Sequence, residues 1–441
     1  MSRVRFDDCA TAELETIRDQ LVARLDQLRG AGLQLDLTRG KPAPDQLDLS
    51  NALDGILAGD FRASDGTDTR NYGGRGVAGL RGIPEARALG GEILGIDPEQ
   101  VIAGGNSSLN LIHLVIETAL REGLWGPGSS WSDEAARAGA PVRMLAPVPG
   151  YDRHFTICEQ FGIEMVSVPM TEAGPDLKVV ERLLDQDPMI KGIWCVPKYS
   201  NPTGCIYSEH TVEAIAGLPQ RAGRNFLVVW DNAYAVHDFE FPSAPLANIF
   251  TLAEAQGTTA HLAMFASTSK ITFAGAGLGF LGASEALLLR IEERLRAMTV
   301  GHDKVNQLRH AQFLAGRLET HMRAHADLVR GKFEVVQNHL DQELAGLDIA
   351  CWTQPRGGYF VSVDTRPGLA QRIINLATEA GVALTPAGAT FPYGRDPEDR
   401  NIRIAPTFPE KAEIEAAMEV FTLCVRLAAA EQIIDQRRSV R

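Results

Sequence analysis

Between about residue 100 and residue 290 the chain alternates short apolar runs with stretches of helical spacing, and that rhythm narrows the fold more than any other feature. The runs at 143–148, 163–168, 192–196, 226–230, 262–266 and 278–282 have the length and composition of strands, while 107–122 and 209–218 carry apolar residues at helical intervals. Such a succession predicts an α/β fold, with a mostly parallel sheet covered by helices on both faces. Ligands of these sheets sit beyond the carboxyl ends of the strands, so chemistry is to be sought just after each run.

Upstream, Leu14, Ile17, Leu21, Leu25 and Leu28 mark an amphipathic helix over 11–29, stopped by Gly30 and Gly32. Downstream, a helix near 328–345, the strand-like GGYFVSVD, a helix near 369–380, the segment NIRIAP and a final helix from about 410 describe a smaller α+β unit. A chain of 441 residues exceeds what one core organises, and 45% hydrophobic residues supply material for two. We expect 1–75 to join the smaller domain, 76–328 to form the larger one and 329–441 the smaller one. The stretch 124–141, LWGPGSSWSDEAARAGAP, reads as a surface loop.

A formal charge of −13 argues against a nucleic-acid backbone or an anionic membrane as partner. The N-terminus MSRVRFDDCATAELE lacks the apolar core of a signal peptide, and no run approaches the ~18–20 apolar residues of a membrane span. The expectation is a cytoplasmic enzyme of small molecules. Cys9, Cys158, Cys195, Cys205, Cys351 and Cys424 form no C-x-x-C pair, which suggests reduced, structural thiols. His321 and His325 stand four apart on a helical pattern, but no third ligand accompanies them, so a metal site is not expected.

Three chemical readings compete. Ser267-Thr-Ser-Lys270 matches the S-x-x-K of serine acyl-transfer enzymes, yet no K-T-G follows, and Gly275, Gly277 and Gly279 oppose the helix such a motif opens. Gly74-Arg75-Gly76-Val77-Ala78-Gly79 fits a dinucleotide fingerprint, but the polar ASDGTDTRNY before it is no strand. The third reading takes several strand ends together. Asn201-Pro202-Thr203-Gly204 follows one run, Asp231 closes the next with Tyr234 three residues on, and Ser267 and Lys270 follow the run after that. Neighbouring strands would gather an amide, a carboxylate, a phenol and a lysine in one crevice, a set suited to pyridoxal phosphate.

On the ordered motifs NPTG, DNAY, STSK and RIA, spread over most of the chain, the sequence resembles the fold-type I pyridoxal-phosphate aminotransferases of class I/II. Within them it is similar to the aspartate aminotransferase subgroup that resembles the effector domain of certain bacterial regulators. The resemblance implies pyridoxal 5'-phosphate as cofactor, bound as an imine to Lys270, which also shuttles the Cα proton. It implies that Asp231 faces the pyridine nitrogen, that Asn201 and Tyr234 bond the ring oxygen, that Tyr151 stacks on the ring and that His154 stands behind Asp231. Asn106, Ser107 and Ser267 would hold the phosphate at a helix start, where free N–H groups favour an anion. Gly40 would close over the substrate, Arg403 would clamp its α-carboxylate, with Asn201 beside it, and Tyr72 would be lent to a neighbouring subunit, implying a homodimer with shared sites.

In one place the chain departs from that pattern. The family's usual arginine after the lysine is replaced by leucine in AGAGLGF, and Arg75 and Lys304 are the candidate substitutes. Arg39, Lys41 and Lys304 are candidates for reading a second substrate carboxylate. A β-lyase or another transaminase shares this fold. A non-enzymatic regulator would need a basic DNA-binding module, whereas residues 1–60 hold 7 Lys and Arg against 11 Asp and Glu. The implied reaction moves an amino group between aspartate or glutamate and 2-oxoglutarate or oxaloacetate.

Overall fold

The computed structural model describes residues 4–72 and 77–439. Its largest element is an eight-stranded sheet. In chain order the strands are β1 (Val101–Ala103), β2 (Arg143–Val148), β3 (Glu164–Thr171), β4 (Gly174–Pro175), β5 (Ile190–Cys195), β6 (Leu227–Asp231), β7 (Leu262–Ser267) and β8 (Gly279–Ala283). They lie in the order β1-β8-β7-β6-β5-β2-β3-β4. The run β7-β6-β5-β2-β3 is parallel. Strand β8 runs antiparallel to both of its neighbours, and β4 runs antiparallel to β3. All six runs marked in the sequence form strands, each within a few residues of its expected limits. The short β1 and β4 carry too little pattern to be read in advance.

Because strand side chains alternate between faces, the two sides of the sheet can be read residue by residue. Val228, Trp230, Leu262, Met264 and Ala266 pack into one core, and Leu227, Val229, Ala263 and Phe265 into the other. Asp231 and Ser267, one step beyond Trp230 and Ala266, continue the second set. That face is covered by α2 (Ser108–Arg121) and α4 (Asp152–Phe161), which follow α1 (Thr11–Gly30) in the chain. Alternation thus turns the carboxylate and the serine toward the same pair of helix starts.

Between α2 and α4 the expectation of a loop at 124–141 fails, since α3 (Trp131–Ala138) lies inside it. Ser130 accepts the Asp133 N–H as a cap, and Gly139 ends the helix at φ 62°, a left-handed conformation that glycine adopts freely. Trp131 is fully buried and donates its ring N–H to the Asn225 carbonyl at 2.8 Å. Caps and one buried anchor outweigh the loop-like composition.

The remaining core joins the two ends of the chain. Leu14, Leu21 and Leu25 of α1 pack with Val329, Phe333, Val336 and Leu340 of α5 (Leu318–Leu344) and with Ile414 and Phe421 of α6 (Lys411–Ser439). The first turns of α5 belong elsewhere, because Leu318 and Met322 pack under the large sheet. An antiparallel trio, β9 (Ala350–Trp352), β10 (Val361–Thr365) and β11 (Asn401–Ile404), sits on this core. Ile402 and Ile404 point into it, so Arg403 between them points away. Tyr359 and Phe360, read as part of a strand, instead precede β10 in a bend and irregular chain. Among the described residues no helix is long and apolar enough to cross a membrane.

Candidate active site

At the end of β6, Asp231 is held by His154, which α4 delivers in its first turn. Nε2 of the histidine lies 2.9 Å from Asp231 Oδ2, and both side chains are 2% exposed. The imidazole stacks on Trp194 of β5 with centroids 4.3 Å apart, and Tyr151 meets it edge-on at 5.0 Å. Asp231 Oδ1 is buried and has no partner among the described residues. A buried carboxylate oxygen left bare costs about 1–3 kcal/mol or more, so this atom calls for a donor from a bound group. A protonated pyridine nitrogen is such a donor. The orphaned oxygen therefore fits the cofactor implied by the sequence.

Lys270 lies in the turn after β7, half-buried, with Nζ 4.8 Å from the centre of the Tyr234 ring and 5.9 Å from that of Tyr359. Burial, reinforced by Asp231, holds the Tyr234 phenol well above its ordinary range, so it is a hydrogen-bond donor at neutral pH. Burial likewise pushes Tyr151 up to about 12, with the Lys270 cation opposing. Gly40 packs against the aromatic wall on the other side. A Cβ there would stand 2.5 Å from Phe360 Cζ, so only glycine lets the N-terminal segment lie so close.

Arg403 is 7% exposed and reaches from β11 to the connection after β5 and to the start of α4. Its Nη1 donates to Asn201 Oδ1 and to Asp152 Oδ1, each at 3.2 Å, and Nε donates to Thr385 Oγ1 at 3.4 Å. The guanidinium has only donors, so it faces the amide oxygen and turns the Asn201 NH2 the other way. Asp152, 38% exposed, presents a carboxylate to the same group that would grip a substrate carboxylate.

The end of the site nearest β8 has a different make-up. Ser107 caps α2, yet its hydroxyl bonds none of the first-turn N–H groups, so hydroxyl and amides are both available to an anion. Ser267 is paired with Gly279 across the β7–β8 ladder, and Ser269 Oγ donates to the Asn106 carbonyl at 3.0 Å. A Cβ on Gly279 would stand 2.6 Å from the Ser107 carbonyl and 2.8 Å from that of Gly104. Leu278 is buried. Lys304 is also buried, its amine 3.4 Å from the His302 carbonyl, and burial lowers its pKa. His302 accepts the Gly105 N–H at 3.2 Å, and burial lowers the pKa of this ring as well.

The structure thus brings Lys270, Asp231, Tyr234, Tyr151, His154, Asn201 and Arg403 into one crevice, with Gly40 on its wall and Asn106, Ser107 and Ser267 at its β8 end. Tyr72 stands apart, 78% exposed. Arg75 and the start of the G-x-G-x-x-G stretch lie outside the described residues. Arg39 and Lys41 are exposed, the latter 3.7 Å over the Phe408 ring. Sequence reasoning missed Trp194, Asp152, Thr385, Tyr359 and Phe360. Of these only Asp152, next to Tyr151, carried a usable signal, since a carboxylate in a helix's first turn points toward the strand ends.

A doubly wound α/β sheet with a lysine, a carboxylate and a helix start at its strand ends defines the architecture of the fold-type I pyridoxal-phosphate transferases. The chain belongs to the aspartate amino-transferase family, whose model matches residues 9–437, and it is a transaminase. It is 43% identical over 436 residues to an aspartate aminotransferase of Corynebacterium glutamicum, covering 98% of each chain. A solved aspartate transaminase from the same organism superposes with a TM-score of 0.92 at 42% identity, over 98% of this chain and 100% of that one. The α-aminoadipate aminotransferase LysN of Thermus thermophilus, solved with N-(5'-phosphopyridoxyl)-L-leucine, shares the fold with a TM-score of 0.72 at 22% identity, over 93% of this chain and 95% of that one.

Proposed function

We propose that this transaminase moves an amino group between L-aspartate or L-glutamate and 2-oxoglutarate or oxaloacetate, with pyridoxal 5'-phosphate held by Lys270. The observation that carries the cofactor assignment is the buried Oδ1 of Asp231, unpartnered among the described residues and backed by His154. When bound, the cofactor supplies an electrophilic carbonyl and an electron-accepting ring. Asp231 holds the proton on the ring nitrogen, His154 fixes the carboxylate, and Tyr151 covers the ring. Asn201 and Tyr234 donate to the ring oxygen. Asn106, Ser107, Ser267 and the first amides of α2 hold the phosphate. Arg403 and Asn201 bind the substrate α-carboxylate as Asp152 gives way, with Gly40 closing over the substrate. The Lys270 amine takes the proton from substrate Cα and returns it during the transfer.

The exposed Tyr72 fits donation to a second copy, so a homodimer with shared sites is part of the reading, as is a cytoplasmic location. The domain limits 1–75, 76–328 and 329–441 also belong to it. Borohydride reduction and peptide mapping test the lysine: the label is expected on Lys270, and a label elsewhere overturns the assignment. Absorption of the bound cofactor, followed while single amino acids are added, tests the substrate. Bleaching by aspartate and glutamate with recovery on 2-oxoglutarate is expected. Elimination without transfer would mean a lyase.

A further inference from the structure

The pair His321 and His325 faces the backbone of the lysine turn. His325 Nε2 lies 2.8 Å and His321 Nε2 2.7 Å from the carbonyl of Ile271. The preceding carbonyl, that of Lys270 itself, accepts from the Tyr359 hydroxyl and from His237 Nε2, both at 3.3 Å. Two consecutive carbonyls thus receive four side-chain donors.

Two of these donors, His325 and Tyr359, are oriented by Gln46, fully buried in the short helix Pro44–Asp48. The Ala43 N–H lies 3.0 Å from Gln46 Oε1. An N–H can only donate, so that end of the amide is its oxygen and the other end is its NH2. The NH2 faces His325 Nδ1 and the Tyr359 hydroxyl, each at 3.3 Å. His325 Nδ1 must then offer its lone pair, which leaves the ring proton on Nε2, aimed at Ile271. Tyr359 accepts from Gln46 and spends its own proton on Lys270. Every donor and acceptor in the chain from Ala43 to the lysine turn is determined. Burial, aided by the neighbouring His321, pushes His325 down to about 4, so the ring is neutral at physiological pH as this arrangement requires.

We propose that Gln46 is a positioning residue for the reacting lysine, fixing the Lys270 and Ile271 carbonyls through Tyr359 and His325 and tying them to the segment that carries Gly40. The inference rests on Lys270 being the reacting amine. It gives the substrate-covering segment a mechanical connection to the lysine, because Gly40 and Gln46 belong to one short stretch of chain.

The test compares Gln46→Leu, His325→Leu and His325→Gln with the parent. Glutamine can bring an NH2 to the place of Nε2, and leucine cannot. In cofactor-free protein, amide hydrogen exchange of the 268–274 peptide is expected to rise about tenfold in both leucine variants, with peptides of α2 unchanged and with recovery in His325→Gln. In cofactor-loaded protein, the same two variants are expected to move the pH midpoint of the cofactor absorption band and to lower kcat more than they raise KM. Unchanged exchange and midpoint in Gln46→Leu would overturn the proposal, as would equal acceleration in all peptides. Should Gln46→Leu fail to fold, His325→Leu against His325→Gln carries the same decision. A misplaced borohydride label would refute the role of Lys270 without touching the exchange result.

Discussion

The two ends of the crevice are built on opposite plans. Around Asp231, a few buried side chains each have a defined partner: His154 on the carboxylate, Trp194 on His154, Asn201 on Arg403. At the β8 end the donors are the Ser107 and Ser267 hydroxyls and the amides of a helix start, brought close by Gly279. One end concentrates its work in single groups, and the other spreads it over several weak ones. A side chain with one buried partner cannot be replaced by its neighbours, whereas a loss among many donors is shared.

Substitutions should therefore differ in size between the ends. Asp231→Asn is expected to retain cofactor yet lower turnover by on the order of 10²–10⁴-fold, since an amide does not hold the ring proton. Steady-state rates with cofactor content measured alongside check this, and near-normal turnover would erase the contrast. Gly279→Ala should come next. Its methyl would press on the Ser107 and Gly104 carbonyls, so dialysis should show weaker cofactor binding, and unfolding a loss of about 1–3 kcal/mol. Ser107→Ala and Ser267→Ala should each weaken cofactor affinity by roughly ten- to a hundredfold, the share of one hydrogen bond to an anion. A collapse of affinity in Lys304→Ala or Arg75→Ala instead would show that one cation dominates the β8 end.

The smallest effect expected is at Asp152. Removing its charge in Asp152→Asn frees Arg403 from a partly exposed competitor, and such pairs contribute up to about 1 kcal/mol. KM for the amino acid should fall a few-fold, and a non-reacting dicarboxylate should bind more tightly by calorimetry. A raised KM would mean that Asp152 orients the guanidinium and does not compete for it.

The same contrast explains what could be read from sequence. Asp231 could be placed because it closes a strand, and Asn201, Tyr234 and Lys270 because they stand in the connections that follow strand ends. Asp231 even has its face set by alternation from Val229. The β8 end was legible as a glycine-rich entry into a helix, but its construction was not, because close approach of Gly279 to Ser107 depends on two segments far apart in the chain. Gln46, His325 and Tyr359 escaped for the same reason: Gln46 meets the other two across 279 and 313 residues. Trp131 was hidden by composition, since glycine, serine and alanine around it spoke for a loop while one aromatic ring decided for a helix.

The reversed direction of β8 has its own bearing on the lysine. After β2, β5 and β6 a strand end opens into a long crossover, but β7 and β8 are hydrogen-bonded side by side, with Ser267 opposite Gly279. Lys270 thus rides on a hairpin whose two feet are already joined by the sheet. The entropy of closing that loop is met when the sheet forms, before any cofactor arrives. On the proposed role of Lys270, a protein stripped of its cofactor is expected to keep the amine near its working position, so that reloading does not require the loop to be rebuilt.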